Sequence, residues 1–228
     1  MSTAQNYLDT LSGLIKSLES EQGLIETAAG ILADAVKADR LIHVFGVDPY
    51  SASSSDEFFF KAGGLVNISP IYDPTFSYSH GASRCGMCQK LDGLSPAILD
   101  YYEYIEPGDP IIIISSDPNN LVFQQALEKS RVMGLKTIAI VPSAPGQVIK
   151  NADVTISTHA PAVDTVTDVS GLKSGGVASA LTSAVINTLV LVTLEKLDSP
   201  VVWIGDRIAD CDKNEQLIDK YIERVKHL

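Results

Sequence analysis

Apolar residues recur along the start of the chain at steps of mostly three, four or seven: Leu8, Leu11, Leu14, Ile15, Leu18, Leu24, Ile25, Ala28, Ile31, Leu32 and Val36. This is the period of one helical face, so the spacing predicts a long amphipathic helix over Tyr7–Val36, interrupted near Gly23. The pattern then shortens. The apolar run Leu41–Phe45, closed by Gly46, predicts a buried strand. Ser54–Ala62 predicts a helix stopped by Gly63-Gly64, followed by a second strand at Leu65–Ile68 and an irregular stretch over Ser69–Arg84. A helix from about Cys88 to Tyr104 is expected to end before Pro107-Gly108. The four isoleucines of Ile111–Ile114 are too continuous for a half-exposed strand and predict one covered on both faces. Asn119–Met133 is helical in period, Lys136–Val141 and Val154–Ser157 read as strands, Gly176–Leu197 as an apolar helix and Lys213–Val225 as a charged one.

Strands alternating with helices imply right-handed crossovers, hence a parallel sheet with helices on both faces. The expected fold class is α/β: a three-layer sandwich with a five-stranded parallel sheet and extra terminal helices. The whole chain, 1–228, reads as one domain, with a helical extension over 1–38, an α/β core over 39–200 and a helical tail over 201–228. Ligands of such sheets bind beyond the carboxyl ends of the strands, where strand order reverses. That directs attention to the loops Gly46–Ser55 and Ser115–Asn120.

Composition narrows the function classes. Lys and Arg number 17 against 28 Asp and Glu, a formal charge of −11 over 228 residues, and such a field repels phosphate backbones, so no nucleic-acid partner is expected. The most apolar stretch, Ala180–Leu194, is broken by Thr182, Ser183, Asn187, Thr188 and Thr193 and falls short of the ~20 residues of a membrane span, so no membrane association is expected. The start, MSTAQNYLDT, has no basic or apolar leader pattern, and a cytoplasmic location is expected. Three cysteines are too few for a disulfide framework. Cys85 and Cys88 form a lone C-x-x-C that, with His80 and Cys211, offers four zinc-type ligands on paper. The redox alternative would want this pair beside a thioredoxin-type strand, which is absent. No metal and no cofactor are expected.

The loop Gly46–Ser55 carries the hydroxyls of Ser51, Ser53, Ser54 and Ser55 and leads into a helix, and Ser115-Ser116-Asp117-Pro118-Asn119-Asn120 repeats that design after a buried strand. Hydroxyls beside free N–H groups can cradle an anion, or one serine can simply cap each helix. Two such loops after adjacent strands would face one ligand. Asp56 and Glu57, read as the first helical turn after the serine loop, suit either a general base or the helix dipole. His43, in the first strand, reads as a packed core residue.

The succession of strand, serine loop and helix, then Ile-Ile-Ile-Ile-Ser-Ser and a helix, then Lys-Thr-Ile-Ala-Ile, resembles the sugar isomerase (SIS) domain, a flavodoxin-like sandwich. It resembles most closely a bacterial subgroup of SIS-domain proteins related to phosphoheptose isomerases. Phe58–Leu65, Asn67–Ile71, Glu106–Asp109 and the tail Asn214–Leu228 extend the likeness over the chain. The resemblance implies a sugar or sugar-phosphate ligand. It places substrate binding at Ser51, Ser53, Ser115 and Ser116, with Asn119 and Asn120 in the second loop and an acidic position at Asp164. It makes Glu57 and His80 the catalytic candidates for an aldose–ketose isomerase, the alternative being a non-catalytic sugar or sugar-phosphate sensor. Asp117 stands where the family has a third serine and Pro118 where it has glycine. Either Asp117 points away from the ligand, or the ligand lacks the usual phosphate. By the same resemblance the chain pairs into a homo-oligomer, at least a two-fold dimer, with Tyr7–Val36 and Gly176–Leu197 near the interface and His227 within reach of a neighbouring subunit.

Overall fold

The longest apolar runs become the inner strands of one sheet. The computed structural model describes residues 2–142, 147–205 and 211–228. Helices α1 (Thr3–Ser17) and α2 (Gln22–Lys37) open the chain, then β1 (Ile42–Gly46), α3 (Pro49–Ser55), β2 (Ile68–Pro70), α4 (Ala82–Cys88), α5 (Leu94–Tyr101) and β3 (Pro110–Ile114). The chain continues through α6 (Leu121–Val132), β4 (Lys136–Val141), β5 (Val154–Ser157), the hairpin β6 (Thr167–Val169) and β7 (Leu172–Ser174), α7 (Ala178–Glu195) and α8 (Cys211–Tyr221). The sheet order is β2-β1-β3-β4-β5 with every pair parallel, and β1 and β3 lie side by side at the reversal of order.

Alternation of side chains along β3 divides the core into two layers. Ile112 and Ile114 pack with Ile25, Leu32, Val185 and Leu189 of α2 and α7, while Ile111 and Ile113 pack with Leu99, Val122 and Phe123 of α5 and α6. Each such side chain, fully withdrawn from water, contributes roughly 1.5–3 kcal/mol. A third cluster of Leu41, Val66, Trp203, Tyr221 and Val225 fastens the tail to the edge beside β2. Helix α7 is long and apolar enough, by length and composition alone, to cross a membrane; here it packs its Leu181, Val185, Ile186 and Leu189 face against α2 and the sheet.

Several expected boundaries move, each for a visible reason. The single helix over Tyr7–Val36 is two, parted by a 3-10 turn at Leu18–Glu21 rather than at Gly23. Glu21 is buried there, and its carboxylate accepts from the Ser157 N–H at 3.0 Å and meets His159 Nε2 at 2.9 Å. The helix expected at Ser54–Ala62 instead begins at Pro49, because Asp48 caps it and proline suits its first turn. It ends at Ser55, so Asp56 and Glu57 follow a helix instead of starting one. The helix expected from Cys88 to Tyr104 is split into α4 and α5, the second starting after Gly93 at φ 78°. Leu65 forms an antiparallel bridge to Val202, and the edge strand starts later, at Ile68. The hairpin β6–β7 has no counterpart among the expected strands, since its short strands are largely exposed and show no apolar alternation.

Candidate functional site

The loops after β1 and β3 meet over one carboxylate. Asp48 is 1% exposed, and five donors converge on it. Its Oδ1 accepts from the N–H groups of Tyr50 at 3.1 Å and Ser51 at 3.0 Å. Its Oδ2 accepts from Ser51 Oγ at 2.9 Å, Ser115 Oγ at 3.1 Å and the Ser116 N–H at 2.7 Å. Gly46 makes this crossing possible: a Cβ there would collide with the Ser51 carbonyl, so only glycine lets the first turn of α3 fold back over the end of β1. Among the described residues no lysine, arginine or histidine pairs with Asp48; it is held by neutral hydrogen-bond donors alone.

Beside this cluster lies a cleft of about 190 Å³ at the carboxyl end of the sheet. Ser51, Ser54, Ser115, Ser116, Thr158, Ser179 and Thr182 put hydroxyls into its wall, with Tyr50 and Asp164. Asp164 Oδ1 also accepts from the N–H groups of Val177 and Ala178, both at 2.7 Å, so one carboxylate oxygen closes the start of α7. Among the described residues no basic side chain lines this cleft. A further negative charge at ~5 Å from Asp48 is opposed by about 1–3 kcal/mol per unit charge, for effective dielectric constants of about 80 to 20.

The structure therefore brings Ser51, Ser115, Ser116 and Asp164 of the sequence candidates to one cleft. The others lie elsewhere. Ser53 is exposed on the opposite side of α3, its hydroxyl donating to the Tyr50 carbonyl at 2.8 Å. Asn119 and Asn120 line neither of the two clefts that flank α3: Asn119 N–H donates to Asp117 Oδ1 at 2.8 Å, and Asn120 Oδ1 caps α6 by accepting from the Val122 N–H at 2.9 Å. Asp117 thus spends its carboxylate on its own turn and does not line the cleft. Glu57 pairs with Lys61 and accepts from Asn187 Nδ2 at 3.3 Å, outside both clefts. The Lys61 hydrogen bond outweighs burial and holds the Glu57 carboxyl below its usual value, with Asn187 adding to it. His80 ends a 3-10 turn on the exposed surface and lines neither cleft.

A second, larger cleft of about 640 Å³ opens on the other side of α3, between Ser53, Asp56, Tyr72, Asp73, Tyr78 and His227, with Tyr50 shared by both. Tyr72 donates to Asp56 Oδ1 at 2.6 Å, and burial, then the Asp56 carboxylate, push its phenol well above the ordinary value. His227 sits within its own subunit, Nε2 2.9 Å from Tyr102 Oη and its ring 5.0 Å from that of Tyr72. Burial, then Lys226, lowers its pKa. The buried His43 is more than packing: its Nε2 lies 3.2 Å from Asp109 Oδ2.

Sequence reasoning missed Asp48 as the centre of the site, together with Tyr50, Thr158, Ser179, Thr182 and the Asp56–Tyr72 pair. The succession Asp48-Pro49 did carry a signal, an N-cap residue followed by a first-turn proline. Cys85 is buried with its Sγ donating to the Ser77 carbonyl at 3.1 Å, and the side chain of Cys211 lies outside the described residues. Among the described residues no three His, Cys, Asp or Glu side chains are placed to hold a metal ion.

Known proteins share this architecture. A UPF0309 protein of Brucella canis is 29% identical over 232 residues, covering 96% of this chain and 94% of its own, and one from Brucella melitensis matches to the same extent. Among solved structures, a phosphoheptose isomerase from Francisella tularensis superposes with a TM-score of 0.55 at 13% identity, covering 85% of this chain and 98% of that one. The phosphoheptose isomerase of Neisseria gonorrhoeae reaches 0.50 at 16% identity over 68% of this chain and 86% of its own. These structural likenesses concern the fold. The SIS domain family model matches residues 6–142, more than half of the sequence, and with the five-stranded parallel sheet and its two serine loops it shows that this chain belongs to the SIS domain family.

Proposed function

We propose that this chain binds a sugar derivative in the cleft between the loops after β1 and β3. The observation that carries the reading is the wall of that cleft, in which Ser116, Thr158, Ser179 and Thr182 offer hydroxyls and Asp164 a carboxylate at the reversal point of a SIS-family sheet. Donors and acceptors in alternation suit a ligand that is itself covered with hydroxyls.

Binding without turnover is the form this reading takes. Aldose–ketose isomerisation moves a proton between adjacent carbons and needs a base at the sugar. Among the described residues the ionisable side chains lining the cleft are Tyr50 and Asp164, and Asp164 Oδ1 is committed to the start of α7. Glu57 is paired with Lys61, and His80 is outside. A panel of aldoses, ketoses and their phosphate esters, followed by thermal shift and by NMR for interconversion, tests this. Saturable binding that weakens in Ser116→Ala with Thr158→Ala, without interconversion, is expected. A panel without any ligand would refute the site, and interconversion would refute the non-catalytic form.

The enzymatic reading rests on the second cleft, where Asp56, Tyr72 and His227 form an acid–base set facing one space. Turnover of any panel member that is lost in Asp56→Asn, while binding persists, would favour it. The proposed assembly remains a two-fold pair. Helix α1 buries none of its residues in the single chain and, with Leu8, Ile15 and Leu191, leaves an apolar surface on α1 and α7. Sedimentation giving a monomer at micromolar concentration would refute that pairing.

A further inference from the structure

We propose that Asp48 is a built-in anion that fills the anion-accepting position of this site, so that the ligand presents hydroxyls and no phosphoryl group to the loops after β1 and β3. The inference rests on the reading of the cleft as a sugar-binding site and narrows the substrate class to sugar derivatives unphosphorylated at that end.

Convergence of donors is the first ground. Three backbone N–H groups and two hydroxyls, from two loops far apart in sequence, point at one buried carboxylate. Such a set of oriented dipoles without a neighbouring cation is how proteins hold a bound oxyanion, and here the oxyanion belongs to the chain. Exhaustion of donors is the second. Ser51 and Ser115 each have one hydroxyl proton: Ser51 gives its proton to Asp48, and Ser115 shares its proton between Asp48 Oδ2 at 3.1 Å and the Asp117 carbonyl at 2.9 Å, so neither proton is left for an incoming ligand. Charge is the third. Among the described residues the cleft wall holds no basic side chain, and its ionisable residue besides Tyr50 is the acidic Asp164. A dianionic phosphoryl group entering there would meet two carboxylates and, among the described residues, no cation. A sugar hydroxyl meets acceptors it can donate to. Asp117, the acidic residue of the second loop, puts no charge on the cleft wall, since its carboxylate is turned to the Asn119 N–H.

Inorganic phosphate is the probe, followed by calorimetric titration and by the thermal shift it causes. Wild type is expected to show no saturable phosphate binding at millimolar concentration. Asp48→Ser keeps a side-chain oxygen to cap α3 while removing the charge and freeing the donors, and Asp48→Asn keeps the shape. Either variant is expected to bind phosphate at least about tenfold more tightly than the wild-type limit, as loss of one facing charge implies. Adding Ser115→Ala is expected to abolish the gain. Saturable phosphate binding by wild type, or folded variants that stay indifferent to phosphate, would overturn the assignment. If Asp48→Ser does not fold, Asp48→Asn carries the same comparison, and the wild-type titration stands without either. No sugar enters this experiment, so failure of the sugar panel and failure of the Asp48 assignment are separate results.

Discussion

At the amino end of β3, the buried Asp109 is met by Arg40 Nη1 at 2.9 Å and by His43 Nε2 at 3.2 Å. At the carboxyl end of the adjacent β1, the equally buried Asp48 is met by hydroxyls and backbone N–H groups, with no cation among the described residues. The first is a structural ion pair, whose partner Arg40 is 40% exposed and ties the chain before β1 to the turn before β3. The second is an environment suited to a bound anion. The amino edge of the sheet neutralises its charge, whereas the carboxyl edge, where ligands of this architecture lie, keeps a negative charge solvated only by dipoles. The difference shows that a buried acid in this chain can be held without a salt bridge.

The sharpest way to break the comparison is Asp48→Ala. It leaves five donors without their shared acceptor and removes the cap of α3, with an expected loss of about 3 kcal/mol in chemical denaturation. Phosphate or sulfate in the buffer should recover part of that loss by occupying the emptied position. Asp109→Ala should cost a similar amount, about 3 kcal/mol, because Arg40 can return to water but the buried His43 Nε2 cannot, and oxyanions should not restore it specifically.

Acid tests the amino end next. Burial is the largest influence on Asp109 and raises its pKa, but the hydrogen bonds from His43, the Glu106 N–H and Arg40 together outweigh it and hold the carboxyl below its ordinary value. A depressed folded pKa means stability that is present above the unfolded value of about 3.9 and is lost as pH falls through the folded one. Denaturant midpoints should therefore drop below about pH 4 in wild type and fall less steeply in Asp109→Asn.

Much of this contrast was hidden in the sequence, and the reasons are physical. The sheet was legible because a strand covered on both faces must be apolar throughout: Lys136–Val141 and Val154–Ser157 coincide with β4 and β5, and Ile111–Ile114 lies within β3. The pair of serine loops was legible because they follow adjacent inner strands. Helix boundaries were not, since the break at Leu18–Glu21 depends on Glu21 reaching Ser157 and His159 across 136 and 138 residues. The role of Asp48 depends on Ser115, 67 residues away, and on a chain crossing that only Gly46 permits. Local pattern carries no information about such a partner. Glu57 looked like a first-turn acid because the start of α3 was placed five residues late.

The smallest expected effects lie at the residues the structure moves out of the cleft. Glu57→Gln loses a partly exposed pair with Lys61 and should change stability by less than about 1 kcal/mol while leaving ligand affinity unchanged. Asp117→Ser, which changes a side chain that does not line the cleft, should likewise leave both phosphate and sugar titrations where they were. A change in sugar affinity from either substitution would extend the site beyond the clefts described.

The most direct measurement is a paired calorimetric titration of wild type with sugars and the phosphate esters of the same sugars, across the panel that gives thermal shifts. The account predicts that the free sugars bind and that esterification at the end facing Asp48 weakens binding by about tenfold or more. Phosphate esters that bind consistently more tightly than their parent sugars would contradict it.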